Sequence, residues 1–385
     1  MDAYLPEHLL VTGGAGFIGS TYVRLALAAD PRRRVTVLDK LTYAGSLANL
    51  EEVRSDPRFR FVHGDIADPE AVRSCLDGVD AVVNFAAESH VDRSIQQAGQ
   101  FVQTDVYGVY VLLQASLEAG VRRFVQVSTD EVYGEVAAGE SREDDPLLPR
   151  SPYSASKAGG ELLARSYQVT HGLPVLVTRG SNTFGPRQYP EKLVPLFITN
   201  AMDGREVPVY GDGLQVRDWI YVDDHCAAIE RVLLDGVPGQ AYNAGGGYPL
   251  TNLEITRQIL ALCGQASDLI RHVQDRKGHD RRYAITSARL AVSIPRTSRR
   301  SVVLVRGTPA GVRGGVSTWV PRKWLTAQSR FGSASTSICP AHAASPPCTA
   351  GQMRPRPRAD APMAAGRTPA TGFSEPSSDS SPSAA

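Results

Sequence analysis

The sequence predicts a doubly wound α/β fold, a parallel sheet covered by helices on both faces. Three observations predict it. Short continuous apolar runs alternate with stretches of helical periodicity, as strands buried on both faces require. Three glycines, Gly13, Gly16 and Gly19, fall between the first apolar run and the first helical stretch. The alternation persists to about residue 180 and then loosens into shorter elements, which predicts a smaller second lobe over the strand ends.

Taken in order, "HLLVTGG" (8–14) reads as a strand entering a glycine-rich turn, and residues 17–29 as a helix. "RVTVLD" (34–39), "FRFVHGD" (59–65) and "DAVVNFAA" (80–87) read as the next three strands. A long helix is expected near 95–119, then the strand "RFVQVST" (123–129), a helix near 153–170 and the strand "PVLVTRG" (174–180). Beyond these, 191–203, 223–234 and 251–263 read as helices, and 207–210 and 217–221 as short strands. Residues 1–180, with later segments contributing, form the expected first domain, and 181–290 the second lobe.

Composition divides the chain at about residue 290. No Asp or Glu occurs from Arg281 to Ala359. Residues 291–385 hold eleven arginines and one lysine against three acids, a net +9 in a chain of +1, so residues 1–290 carry −8. The same stretch holds 12 of the 26 prolines. Such a segment buries too little apolar surface to offset its ordering entropy and reads as disordered. It lacks the aromatic–basic interleaving of a nucleic-acid binder. No run approaches the ~18 apolar residues of a membrane span, and the N-terminus has no basic region of a secretory signal. Five cysteines (75, 226, 263, 339, 348) without paired spacing suggest reduced thiols in a cytoplasmic protein and no metal site.

"TGGAGFIG" has the chemistry of a pyrophosphate cradle. Gly13 permits the tight turn, Gly16 lets the backbone approach the anion, and Gly19 lets the helix pack closely. Asp39 ends the second strand, twenty residues after Gly19. Its carboxylate suits a ribose 2′-hydroxyl and repels a 2′-phosphate, so NAD is favoured over NADP, a preference that Lys40 weakens slightly. Phe17 and Ile18 belong to the same turn, and Asp65 and Ile66, after the third strand, flank the expected adenine position.

"SPYSASKAGGE" sets Tyr153 and Lys157 four residues apart, on one helix face. An ammonium beside a phenol lowers its pKa and makes it usable as a base. Just upstream, "VSTDEVYGE" (127–135) places Asp130 beside Glu131 at a strand end. Adjacent acids repel and gain the fold nothing obvious, so the pair is either surface decoration or a working acid and base. In a regular strand they would face opposite ways, so both can serve one substrate only if the chain kinks there or the substrate lies across the strand end.

These segments resemble the extended short-chain dehydrogenase/reductases, and within them the dTDP-glucose 4,6-dehydratase family. "TGGAGFIG", "LDKLTYAGSLANL", "NFAAESHVDRSI", "STDEVYG", "SPYSASKA", "GPRQYPEKLVPLF", "GDGLQVRDWIYVDDHC" and "DRKGHDRRYAI" carry the resemblance over roughly residues 8–286. It implies a Rossmann domain, NAD as cofactor, a nucleotide-sugar substrate and a homodimer formed through the helices near 95–119 and 153–170. It implies that Tyr153 removes the 4-hydroxyl proton, that Glu131 takes the C5 proton, and that Asp130 protonates the departing C6 hydroxyl. Thr129 would bond the 4-hydroxyl and Lys157 the cofactor ribose. Ala86, Ala87 and Thr104 would line the cofactor. Ser89, Asn182, Lys192, Leu193, Arg217, Asn243, Asp275 and His279 would contact the nucleotide-sugar.

Sugar-nucleotide epimerases share the glycine turn and Tyr153–Lys157 but not the acid pair, so an epimerase reading conflicts with Asp130–Glu131. The chain departs from the family's pattern at Thr183 and Asp105, each where asparagine is usual, and at Lys277, where proline is common. After "RRYAITSARL" the expected acidic closing helices give way to the arginine-rich stretch. A reading-frame slip from about residue 291 would produce that change. It would leave a binding-only remnant with an unfinished lobe as the competing reading.

Overall fold

A computed structural model of the chain describes residues 4–293. The expectations of disorder and of a frame slip from about 291, with Cys339 and Cys348, lie outside these residues, apart from the last three.

The first strand, β1 (His8–Thr12), is buried at every position. It leads through the glycine turn into α1 (Phe17–Ala29) and β2 (Arg34–Asp39), and β3 (Phe59–His63) follows. Next come α2 (Pro69–Arg73) and β4 (Ala81–Asn84). The α3 (Val91–Gln96), α4 (Ala98–Val102) and α5 (Val109–Glu118) segments lead to β5 (Arg123–Thr129). The catalytic-motif helix α6 (Pro152–His171) starts on a capping box between Ser151 and Ser154, with Pro152 at its first position. It ends at Gly172 in the left-handed conformation. β6 (Val175–Gly180) follows.

The later chain gives β7 (Asn182–Phe184), α7 (Leu193–Met202), β8 (Val207–Tyr210), β9 (Val216–Tyr221) and α8 (Val222–Asp235). Then come β10 (Ala241–Ala244), β11 (Pro249–Thr251), α9 (Asn252–Leu262), β12 (Ile270–Val273) and α10 (Ala288–Ser293).

Seven parallel strands form the main sheet in the order β10-β6-β5-β4-β1-β2-β3. The order reverses between β1 and β4, which opens a crevice at the carboxyl ends of the strands. One face carries α1 and α8, with Tyr22, Val23, Ile229 and Val232 in its core. The other carries α5 and α6, with Leu112, Leu113, Phe124 and Tyr167. A separate core of Phe197, Trp219, Ile255 and Ile259 supports the second lobe. That lobe holds the three-stranded sheet β11-β9-β7 and the pair β12-β8.

The structure departs from the sequence pattern in two places. The long helix expected near 95–119 is broken at Gln97 (φ −138°, ψ 53°) and widened into a π-helical turn at Gln103–Gly108. Helix α6 packs against that turn so closely that a Cβ on Gly160 would lie 2.2 Å from the Asp105 carbonyl oxygen, which explains the paired glycines of "KAGGE". Second, the main sheet does not end at residue 180. β10 returns to its edge, and α8 covers α1.

Candidate active site

The glycine turn closes on the neighbouring strand end. Gly13 has φ +66°, and a Cβ there would meet the Ala86 backbone nitrogen at 2.6 Å. A Cβ on Gly19 would lie 2.3 Å from the Gly13 carbonyl oxygen, so α1 starts as close to the sheet as the motif predicts. Gly16 caps α1 and borders a cavity of about 330 Å³. Gly13, Phe17, Ile18, Gly19, Asp39, Asp65, Ile66, Ala86, Ala87 and Thr104 line the same cavity. Asp39 is buried, and each of its oxygens accepts a backbone N–H, from Ala15 and from Leu41, both at 2.8 Å. Lys40 is not a free cation beside it, because its Nζ lies 2.6 Å from Asp65 Oδ2. The glycine cradle, the acidic strand end and the cavity's length across the crevice fit a dinucleotide.

Thr129, Asp130, Glu131, Tyr153 and Lys157 line the other end of this cavity. The strand stops at Thr129, and Asp130–Tyr133 form a 3₁₀ turn in which the Thr129 hydroxyl accepts the Glu131 N–H at 3.3 Å. This is the kink that the acid pair needs. The Thr129 hydroxyl also donates to Asp130 Oδ1 at 3.2 Å, while Asp130 Oδ2 is buried with no partner.

Electrostatics separate the two acids. Burial pushes the Asp130 carboxyl up to about 8, and the Glu131 and Asp218 carboxylates add to the rise. Burial also raises Glu131, but Arg217, Arg276 and Lys192 oppose it, so three cations favour its ionised form. Asp130 therefore holds its proton at neutral pH, beside a glutamate whose ionised form three cations favour.

Tyr153 is deeply enclosed on the cleft. Burial and the charges of Glu131 and Asp105 hold its hydroxyl well above the ordinary tyrosine value, against a hydrogen bond with Thr129. Lys157, one helical turn away, is buried, and its Nζ donates to the Val127 carbonyl at 2.9 Å. Burial in turn lowers Lys157, against the attraction of Asp105 and Glu161.

A second cavity of about 320 Å³ shares Ser89, Glu131, Asn182 and Lys192 with the first, so the two form one cleft. Leu193, Arg217, Arg276, His279 and Tyr283 also line it. Lys192 donates to the Ser89 carbonyl. Arg217 is fixed by the Val216 and Asp280 carbonyls at 2.8 and 2.9 Å and lies 4.2 Å from the Tyr283 ring centre. His279 Nδ1 is 2.6 Å from Asp275 Oδ1, so Asp275 stands behind the wall and orients the imidazole.

Two expected substrate contacts, Asp275 and Asn243, line neither cavity, and Asn243 is taken away from the cleft altogether. It is fully buried in β10. Its Oδ1 accepts from Tyr133 at 2.8 Å, and its Nδ2 donates to the Ser141 carbonyl at 3.1 Å. Its amide is consumed within the fold and touches neither cavity.

Sequence reasoning missed Arg276 and Tyr283, although both fall inside the quoted "DRKGHDRRYAI". It also missed His225, a single histidine on α8 whose ring lines the cofactor cavity. Among the described residues, no cluster of His, Cys, Asp or Glu could hold a metal ion, and no helix is long and apolar enough to cross a membrane.

Residues 10–293 match the GDP-mannose 4,6 dehydratase family. The dTDP-glucose 4,6-dehydratase of Streptomyces antibioticus is 55% identical over 298 residues, covering 76% of this chain and 88% of the relative. The low-salt glycan biosynthesis protein Agl12 of Haloferax volcanii is 56% identical over 281 residues, covering 73% and 90%. The crystal structure of the dTDP-glucose 4,6-dehydratase DesIV from Streptomyces venezuelae, with NAD bound, superposes with a TM-score of 0.73 at 54% identity. It covers 74% of this chain and 90% of its own. With its acid turn, its tyrosine–lysine helix and its glycine cradle on one cleft, the chain belongs to the GDP-mannose 4,6 dehydratase family and stands within it beside the dTDP-glucose 4,6-dehydratases.

Proposed function

We propose that the chain is an NAD-dependent dehydratase that converts dTDP-glucose to dTDP-4-keto-6-deoxyglucose, a step of deoxysugar biosynthesis. One observation carries this reading: the Asp130–Glu131 turn opens on the same cleft as Tyr153 and the glycine cradle. Relatives that are more than half identical over the aligned residues carry that activity in their names.

NAD, held by the glycine turn and Asp39, would supply the acceptor for the C4 hydride and its later donor to C6, and would bring a positive charge to the carboxylate-rich surroundings of Tyr153. Tyr153, as the phenolate that this charge and the Lys157 ammonium favour, accepts the 4-hydroxyl proton, with Thr129 holding that hydroxyl and Lys157 the cofactor ribose. The resulting 4-ketone acidifies C5. Glu131 takes the C5 proton, and Asp130 donates its own to the C6 hydroxyl, which departs as water. Glu131 then returns its proton to C5, and the proton held by Tyr153 replaces the one that Asp130 gave up, so the net change is loss of one water. Asn182, Lys192, Leu193, Arg217 and His279 hold the nucleotide-sugar, with the planar fork of Arg217 suited to the diphosphate.

The enzyme works as a homodimer in the cytoplasm. Val102, Tyr107, Tyr110, Leu162 and Val169 leave an exposed apolar face on α4–α5 and α6, with Val169 84% exposed, which a second copy would cover. Cys75, Cys226 and Cys263 are unpaired, which fits a reducing compartment.

Incubating the protein with dTDP-glucose and NAD should yield the 4-keto sugar, seen as its chromophore in alkali. NAD binding without chromophore would overturn the dehydratase reading and favour a binding-only protein.

A further inference from the structure

The buried imidazole of His225 has work that the dehydration chemistry does not assign to it. It is 98% buried on α8, and its ring presses on Gly180 so closely that a Cβ there would lie 2.5 Å from Nε2. Gly180 pairs in register with Thr129 on the adjacent strand. His225 therefore stands one strand over from the catalytic turn, at the same level of the sheet, and lines the cofactor cavity.

The tautomer follows from its neighbours. Thr183 Oγ1 is 3.1 Å from the Ser181 carbonyl, which can only accept, and with the single hydroxyl hydrogen directed there the tautomer is set. Thr183 Oγ1 is then an acceptor for His225 Nδ1–H, at 2.8 Å. Nε2 is left as a lone-pair acceptor, buried and without a partner. Burial holds the imidazole down at about 4, so it stays neutral and keeps that lone pair at neutral pH. Ser128 Oγ and Ser181 Oγ line the same cavity and are also buried without partners. Each such buried group costs free energy unless a ligand satisfies it.

The sheet indicates which part of a dinucleotide arrives there. Asp39 ends β2, the glycine turn ends β1, and Ser128, Gly180 and Ser181 lie at the ends of β5 and β6. β2 and β6 are four strand spacings apart, or about 19 Å at ~4.8 Å per spacing. A dinucleotide with its adenosine at Asp39 and its diphosphate at the glycine turn thus lays its nicotinamide over Ser128, Ser181 and His225. The carboxamide of that ring offers both an N–H donor and a carbonyl acceptor.

We propose that His225 is a cofactor-positioning residue whose Nε2 accepts the carboxamide N–H of the nicotinamide, while the Ser128 and Ser181 hydroxyls face its carbonyl. By fixing the carboxamide, His225 sets which face of the ring is turned toward Tyr153. This rests on the NAD reading above.

The test compares NAD with its 3-acetylpyridine analogue, in which a methyl group replaces the amide nitrogen and the carbonyl is kept. Dissociation constants for the purified protein are measured by calorimetry. The natural chain should bind NAD about 10-fold more tightly than the analogue, the cost of leaving a buried acceptor unmet. His225→Phe should weaken NAD about 10-fold and leave the analogue unchanged, so that the preference disappears. His225→Gln, which can present a carbonyl oxygen, should restore part of it. If His225→Phe is misfolded by circular dichroism, Thr183→Val, which releases the ring, serves in its place and should narrow the preference. Equal affinity of the natural chain for both dinucleotides would overturn the proposal, as would an equal loss of both in the variant, the mark of a packing role. Failure of the natural chain to bind either dinucleotide would instead sink the NAD reading itself.

Discussion

Arg179 holds Glu161 through its Nε at 3.1 and 3.2 Å and through its Nη2 at 2.5 Å, and neither side chain has any exposed surface. Arg179 also donates to the Tyr133 hydroxyl, which belongs to the acid turn, while Glu161 lies one helical turn beyond Lys157 on α6. A single buried pair thus ties the two catalytic elements together. Glu161→Ala would strand a buried guanidinium and should cost about 3–5 kcal/mol, read as a lowered denaturation midpoint. A loss below 1 kcal/mol would show that the pair is dispensable.

Glu131→Gln should uncouple the reaction. Hydride removal at C4 does not use Glu131, so substrate should still reduce bound NAD, seen as nicotinamide absorbance. Elimination of water should slow by about 10²–10⁴, the usual contribution of a positioned general base. Normal dehydration by this variant would remove Glu131 from its role.

Asp130 must carry a proton to act as acid, and its carboxyl is raised to about 8. The dehydration rate should therefore fall as pH rises through that value. Asp130→Asn should lower the rate at every pH and erase this basic limb. A natural-chain profile flat between about pH 7 and 9 would contradict the assignment.

Asp105 offers a stability test. Burial lifts its carboxyl from 3.8 to about 6, against the pull of Lys157. The folded chain thus binds this proton more tightly than the unfolded chain, so its contribution to stability is fully present below pH 3.8 and is lost as pH rises to about 6. Asp105→Asn keeps an acceptor for the Glu88 N–H and an amide for the Ser156 hydroxyl, which sit at 2.9 and 2.7 Å. It should gain about 1–3 kcal/mol near neutral pH and nothing below about pH 4, as measured by urea denaturation.

The parallel strands were legible because burial on both faces leaves nothing but apolar residues in runs such as "LLV" and "AVV". The glycine turn and the Tyr153–Lys157 helix were legible because their spacing follows from backbone geometry. The 3₁₀ turn was not read, though Thr129 ahead of two acids is a capping signal. It looked like the last residue of a strand because the strand itself is so apolar. Asn243 resembled a ligand contact, yet its partners Tyr133 and Ser141 lie about a hundred residues away, and only the tertiary fold brings them near. His225 left no pattern, since a lone histidine on an amphipathic helix gives no sign of which nitrogen will be left unsatisfied.

The return of the chain to its first layer bears on how the protein is made. Glu230, on α8, accepts from Tyr22 at 2.7 Å and from Arg33 at 2.5 Å, and Arg33 is almost wholly buried. While residues 1–180 are emerging from a ribosome, that arginine has no carboxylate, α1 has no cover, and β6 is an open edge. The nascent cofactor layer must wait some sixty residues for the pieces that close it, so a fragment cut after Gly180 would be a sticky intermediate, not a smaller enzyme.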